Sequence, residues 1–98
     1  NDATLSDARA VGLHEIANVI GNGSDAPGTL LSDCSRDFRQ RCDAAALVIA
    51  KGQGNFESLS DETKDIFFLF KVKCQVVASQ VDAPLGAHLI RTSSPPPE

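Results

Sequence analysis

The residues best equipped for chemistry lie in Leu47-Val48-Ile49-Ala50-Lys51-Gly52-Gln53-Gly54-Asn55. A short apolar run bounded by glycine reads as a buried strand that ends abruptly. Open α/β sheets place their ligands just beyond the carboxyl ends of such strands. A lysine followed by two glycines at that point offers a cation and exposed backbone amides, the groups that hold a phosphate or a carboxylate. The order of residues excludes two familiar devices. A P-loop carries its lysine after the glycines, with Ser or Thr next, and the dinucleotide fingerprint needs a third glycine where Glu57 stands. On pattern alone, a solvated lysine before a flexible turn is the simpler reading.

Asp2 and Asp25 are the other candidates, since both fall near expected strand ends. Asp25 comes after the Val19-Ile20 stretch and shares an edge with Lys51 if the strands run parallel. A carboxylate beside a lysine and free amides could hold a hydrated metal together with a phosphate. For Asp25 alone, an Asx-type turn is the competing reading. His14 and His88 lack a second ligand at useful spacing and read as surface or structural residues. Cys34, Cys42 and Cys74 contain no C-x-x-C pair. Cys34 and Cys42 are too far apart along a helix to bridge, so reduced, partly buried thiols of a cytosolic protein fit them best. There is no G-x-S-x-G elbow and no H-E-x-x-H.

A succession of short elements must position these residues. Thr4-Leu5-Ser6-Asp7 has the capping-box pattern and predicts a helix from Leu5 to about Val11, closed by Gly12. Ile16 to Ile20 reads as a strand, and Gly21 to Gly28 as a loop. Ser35 caps a helix running to about Ala45, whose inner face is Phe38, Cys42 and Ala45. Leu47 to Ala50 is a strand, succeeded by the glycine loop and a polar helix start or turn at Ser60 to Thr63. Ile66 to Val72 reads as a central strand buried on both faces, with a helix as runner-up for its first turn. Val76 to Val81 reads as a short helix, with a strand as the alternative. Asp82 to Gly86 is a turn, His88 to Arg91 a last strand, and Thr92 to Glu98 a disordered, proline-rich tail.

Alternating strands and short helices predict a small three-layer α/β domain over residues 1–91. Its sheet is Rossmann-like and mostly parallel, with only three or four strands and short flanking helices. So small a sheet leaves exposed edges, which offer a route to a homodimer and suggest a truncated version of a larger domain. The absence of methionine and the start at Asn1 fit a piece of something longer. A net charge of −4 argues against a nucleic-acid or anionic-membrane binder. No apolar run reaches membrane-spanning length, and Lys71 breaks the longest candidate.

Five segments fall in the order of one family: N-D-A-T at 1–4, G-S-D-A-P-G-T at 23–29, K-G-Q-G-N-F-E at 51–57, F-F-L-F-K-V-K-C at 67–74 and A-P-L-G at 83–86. Over about residues 1–90 the chain resembles the carboxy-terminal portion of the metal-dependent damage-control phosphatases, long catalogued as a domain of unknown function. The resemblance implies a cytoplasmic hydrolase of small phosphorylated metabolites that uses a divalent metal (Mg, Mn, Co or Ni). By that likeness Asp2, with Asn1 beside it, matches a metal-binding aspartate, and Lys51 matches the phosphate-facing, catalytic lysine. Gly52, Gly54 and Asn55 match the loop around the lysine, and Gly23, Ser24 and Asp25 a substrate-side loop. The family's Asp-Asn metal motif is absent from these 98 residues. One carboxylate with waters is a weak magnesium site, so this chain alone is expected to hold little metal and to show little or no activity. A stand-alone, non-catalytic binding or oligomerisation module of the same fold is the alternative.

Overall fold

The computed structural model describes residues 3–62 and 64–93. Asn1 and Asp2, the expected metal ligands, lie outside the described residues, as does most of the expected tail. Helix α1 spans Leu5–Ala10, and Thr4 and Asp7 form the anticipated reciprocal cap. Two single turns of 3-10 helix come next, at Leu13–Glu15 and Leu31–Asp33. Helix α2 is Arg36–Ala44, capped by the Ser35 hydroxyl. Strand β1 is Val48–Lys51, helix α3 Gln53–Leu59, strand β2 Ile66–Lys71, helix α4 Gln75–Val81 and strand β3 His88–Thr92.

The α/β class is as expected, and β2 is the central strand of a three-stranded sheet in the order β1-β2-β3. The sheet is mixed: β1 runs parallel to β2, and β3 antiparallel to it. The antiparallel pairing results from the short link after α4, where Asp82 in the left-handed region turns the chain back. Ile16 to Ile20, expected as a strand, pairs with nothing among the described residues, and Ile16 is 84% exposed. A strand exists through its ladder, and here the Ile16 and Ala17 N–H groups instead donate to the Leu13 carbonyl, each at 3.1 Å, as the chain leaves the preceding 3-10 turn. Thr92, expected in the tail, is the last residue of β3, and Ser93 just beyond it donates its N–H to the Ile66 carbonyl at 2.9 Å. The Ser93 hydroxyl accepts from the Ile66 N–H at 2.8 Å and donates to the Lys64 carbonyl at 2.7 Å.

The core lies on one face of the sheet. Ile66, Phe68 and Phe70 of β2 alternate inward and meet Phe56 and Leu59 of α3 and Val77, Ala78 and Val81 of α4. Phe56 stacks on Phe70 with ring centroids 4.4 Å apart and meets Phe68 edge-on at 5.3 Å. Such aromatic pairs add about 0.5–1.5 kcal/mol beyond the area they bury. Burial on both faces of β2 was the expectation; the structure covers only the face turned to α3 and α4. Phe67, on the other face, remains 40% exposed. At the opposite end of the sheet, the Lys64 ammonium donates to the carbonyls of Asp43 and Ala45 at 3.2 and 2.8 Å, tying the end of α2 to the start of β2.

Phe68 is 1% exposed at the centre of this core. Phe68→Ala should therefore lower the unfolding free energy by about 3–5 kcal/mol. Urea denaturation monitored by circular dichroism measures this, and a loss below about 1 kcal/mol would show that the core lies elsewhere.

Candidate functional site

Lys51 is the last residue of β1 and exposed, at the carboxyl end of a parallel strand as its position in the sequence predicts. The glycine loop anticipated after it is reduced to one residue. Only Gly52, at φ 94°, makes the turn, and Gln53–Leu59 is already helix. Glycine in a helix costs up to about 1 kcal/mol relative to alanine. The cost at Gly54 is offset because Phe56 and Leu59, one helical turn apart, both enter the core. The Gly52 N–H donates to the Leu69 carbonyl at 2.9 Å, so that amide continues the sheet ladder.

Asn55 holds the strand end in place. Its Nδ2 donates to the Lys51 carbonyl at 2.8 Å, and its Oδ1 accepts from the Thr29 hydroxyl at 2.6 Å. Ser58, one turn on, accepts from the Thr29 N–H at 2.8 Å and donates to the Gly54 carbonyl at 3.0 Å. The 21–30 loop is thereby pinned to α3. The approach is close at Gly28, where φ is 71° and a Cβ would lie 2.6 Å from the Gly54 carbonyl oxygen. Lys51, Asn55 and Thr29 line a cavity of about 330 Å³ together with Phe38, Cys42 and Val48.

Gly23, Ser24 and Asp25 line a separate, broader hollow whose wall includes Ala3, Thr4 and Ala8. Thr29 and Phe38 line both spaces, so the two candidate groups are neighbours rather than one pocket. The turn around Asp25 is built by others. The Asn22 Oδ1 accepts from the Ser24 N–H at 2.8 Å, and the Ser24 hydroxyl accepts from the Ala26 N–H and donates to Asp33. Asp25 is exposed. Among the described residues no group of three or more His, Cys, Asp or Glu side chains is placed to hold a metal ion. The carboxylates nearest the loop, Asp25 and Asp33, do not by themselves fit one.

A third hollow at the same sheet end was missed by the sequence reading. Lys51, Lys71, Lys73 and His88 line it, with Leu69 and Ile90 beneath. The signal was available: Lys71 and His88 are outward residues at the expected ends of their strands, paired once the antiparallel register is known. Thr29 and Ser58 were missed for a different reason, since only tertiary packing brings residues 29 positions apart together.

All three cysteines are free. Burial pushes the Cys34 thiol up, helped by the Asp33 charge and opposed by Arg39. Burial likewise raises Cys42, with Cys34 and Asp43 adding to the effect and Lys64 opposing it. The Cys34 thiol also donates to the Leu30 carbonyl at 3.2 Å. Neither is an activated nucleophile, because the thiolate is the reactive form.

The fold and the strand-end lysine define a small α/β domain that presents a cation beyond a parallel strand. Residues 1–89 match the damage-control phosphatase ARMT1-like domain, and the chain belongs to that family, covering its carboxy-terminal portion. It is 44% identical over 88 residues to a damage-control phosphatase of Pyrococcus horikoshii, which accounts for 89% of this chain and 31% of that protein. An uncharacterised protein of Methanocaldococcus jannaschii is 42% identical over 94 residues, covering 92% of this chain and 31% of that one. The crystal structure of a DUF89 family protein from P. horikoshii superposes with a TM-score of 0.85 at 44% identity, over 90% of this chain and 31% of that one. The chain thus spans less than a third of the length of these relatives.

Both the strand-end clamp and the buried thiols can be tested. Asn55→Ala removes both bonds that fix the strand end and the loop, and should cost about 1–3 kcal/mol of stability in urea titration. A wild-type midpoint would mean that the Thr29–Asn55–Lys51 chain holds nothing. For the thiols, the folded state keeps its protons above the ordinary value of 9.0. Their stabilising contribution is therefore complete below that pH and is lost as pH rises through the shifted values. At pH 8, Cys34 should react with iodoacetamide more slowly than a cysteine in a short peptide; an equal rate would refute the shift.

Proposed function

We propose that this chain is the carboxy-terminal part of a divalent-metal-dependent phosphatase acting on small phosphorylated metabolites. In this reading Lys51 is the catalytic cation that contacts the transferring phosphoryl group. Gly52, Gly54 and Asn55 set its position, Gly23, Ser24 and Asp25 form the substrate-side loop, and Asp2 with Asn1 contributes to the metal site. The observation that carries the reading is the placement of Lys51. It sits at the carboxyl end of a parallel strand, with its carbonyl bonded by Asn55 and the adjoining loop pinned through Thr29. Phosphoryl transfer depends chiefly on neutralising and positioning charge, which a fixed lysine does directly. A metal, when bound, supplies further neutralisation of the phosphoryl oxygens. In this reading the metal's other ligands come from the part of the family's domain outside these 98 residues, and the chain on its own should show little or no turnover. The family relationship further supports a cytoplasmic location.

A stand-alone binding module of the same fold is the second reading, favoured by the apolar sheet face left bare in this chain. Hydrolysis assays separate the two. The isolated chain should show no turnover of p-nitrophenyl phosphate or fructose 1-phosphate with Mg²⁺, Mn²⁺, Co²⁺ or Ni²⁺. Fused behind the upstream part of the P. horikoshii relative, it should hydrolyse them, and Lys51→Ala should lower kcat by about 10²–10³. Metal-dependent turnover by the isolated chain, or a fusion indifferent to Lys51→Ala, would remove this proposal.

A further inference from the structure

The loop that carries Gly23, Ser24 and Asp25 is held at both of its ends. At its entry the Asn22 carbonyl accepts from the Ser35 N–H at 2.8 Å, which fixes it to the start of α2. At its exit Thr29 is fastened to α3 by two bonds, one from its N–H to Ser58 and one from its hydroxyl to Asn55. The polarity of the second is forced. A backbone carbonyl only accepts, so the Lys51 carbonyl takes the Asn55 amide nitrogen at 2.8 Å and leaves Oδ1 facing Thr29. Oδ1 also only accepts, so the Thr29 hydroxyl must give its single proton there, at 2.6 Å. The Ser58 hydroxyl, which takes the Thr29 N–H, returns its own proton to the Gly54 carbonyl. One hydroxyl thus links the loop, through Asn55, to the backbone of Lys51. Thr29 is half-buried and lines both the cavity of Lys51 and the hollow of Gly23, Ser24 and Asp25.

We propose that Thr29 is a positioning residue that sets the register between the substrate-side loop and Lys51. It acts through Asn55 and not by touching the phosphoryl group. The inference rests on the phosphatase reading above, in which the two groups divide one substrate between them. Lys51 attracts the phosphate. The exposed Asp25 carboxylate repels it and accepts from hydroxyls, which suits the remainder of a phosphorylated metabolite. A substrate held at both ends is placed for reaction only while the two contacts keep a fixed separation, and a misplacement of about 1 Å can cost roughly 10²-fold in rate. The Thr29–Asn55 bond keeps that separation. The close approach of Gly28 to Gly54, where a Cβ would stand 2.6 Å from the carbonyl oxygen, brings the hydroxyl within reach of Asn55.

Thr29→Val removes the hydroxyl while keeping the shape of the side chain and the backbone bond to Ser58. In the isolated chain it should speed hydrogen exchange of the Thr29 amide about tenfold and leave β2 unchanged, and Thr29→Ser should restore the protection. Kinetics are read in the fusion with the upstream part of the P. horikoshii relative. There Thr29→Val should lower kcat/KM for fructose 1-phosphate by about 10- to 100-fold. For p-nitrophenyl phosphate, whose aryl group offers the loop no hydroxyl, the loss should stay below about threefold. Thr29→Ser should recover the sugar phosphate, whereas Lys51→Ala should impair both substrates alike. In an Asn55→Ala background Thr29→Val should have no further effect, since its path to Lys51 is already cut. Equal losses on the two substrates, failure of Thr29→Ser to recover, losses that add to those of Asn55→Ala, or unchanged exchange in Thr29→Val would overturn the proposal. An unaltered fusion without turnover removes the phosphatase reading alone, and the exchange result then decides the link by itself. If Thr29→Val does not fold, Thr29→Ala takes its place in both measurements.

Discussion

The position of Phe56 is the constraint on which the rest of this structure depends. Its ring stacks on Phe70 and meets Phe68 edge-on, so a single side chain of α3 grips two inward residues of the central strand. That grip sets how α3 leaves β1, and hence where its first turn lies. Asn55, the residue before it, is carried to the Lys51 carbonyl and the Thr29 hydroxyl. The core and the candidate site are therefore one mechanical unit. Close-packed interiors transmit displacement with little loss, so a shift of the Phe56 ring moves the residues that frame Lys51.

Much of this could be read in advance where a local signal and the tertiary result agree. Thr4 and Asp7 make their capping box, and Ser35 makes its cap, because such bonds close within three residues and need no partner elsewhere. The apolar runs at 48–51 and 66–71 are strands. The errors arose where distant residues decide. Lys51-Gly52-Gln53-Gly54-Asn55 has the composition of a loop, yet it enters a helix after one residue because Phe56 and Leu59 must both reach the sheet. Ile16 to Ile20 has the composition of a strand and finds no sheet edge among the described residues. The continuous apolar run of β2 suggested burial on both sides, whereas its inner and outer residues meet different environments.

The site was legible to a similar depth. Lys51 stands where the rule for strand ends puts it, since that rule needs only the end of an apolar run. The hydroxyls of Thr29 and Ser58 could not be found by spacing, because their partners come from the far end of a loop. Nor could the cationic rim be assembled until the antiparallel register placed His88 opposite Lys71. Asp25 was singled out for its carboxylate, but the turn around it is made by Asn22 and Ser24, whose side chains reach the backbone two residues on.

The exposed apolar residues of this chain are unevenly distributed, and the pattern bears on how the site is built. Val11 and Ile16, in the segment before the sheet, are more than four-fifths exposed, and Ile49 and Ile90 lie on the outward face of β1 and β3. The interior on the other face is closed, with Phe68, Val72 and Val77 each 1% exposed. A domain that completes one face and leaves the other apolar has a hydrophobic free energy still to gain there, at roughly 25 cal/mol per Å² covered. Lys51 stands on the boundary between the two faces. Its backbone is fixed from the closed side by Asn55, and its side chain shares the open side with Ile49, Phe67 and Leu69. A cation placed there is oriented by one half of the structure and enclosed by whatever covers the other. Enclosure lowers the local dielectric and strengthens the attraction of that lysine for an anion several-fold relative to water. The strength of the candidate site is thus set by the same surface that the sheet leaves uncovered.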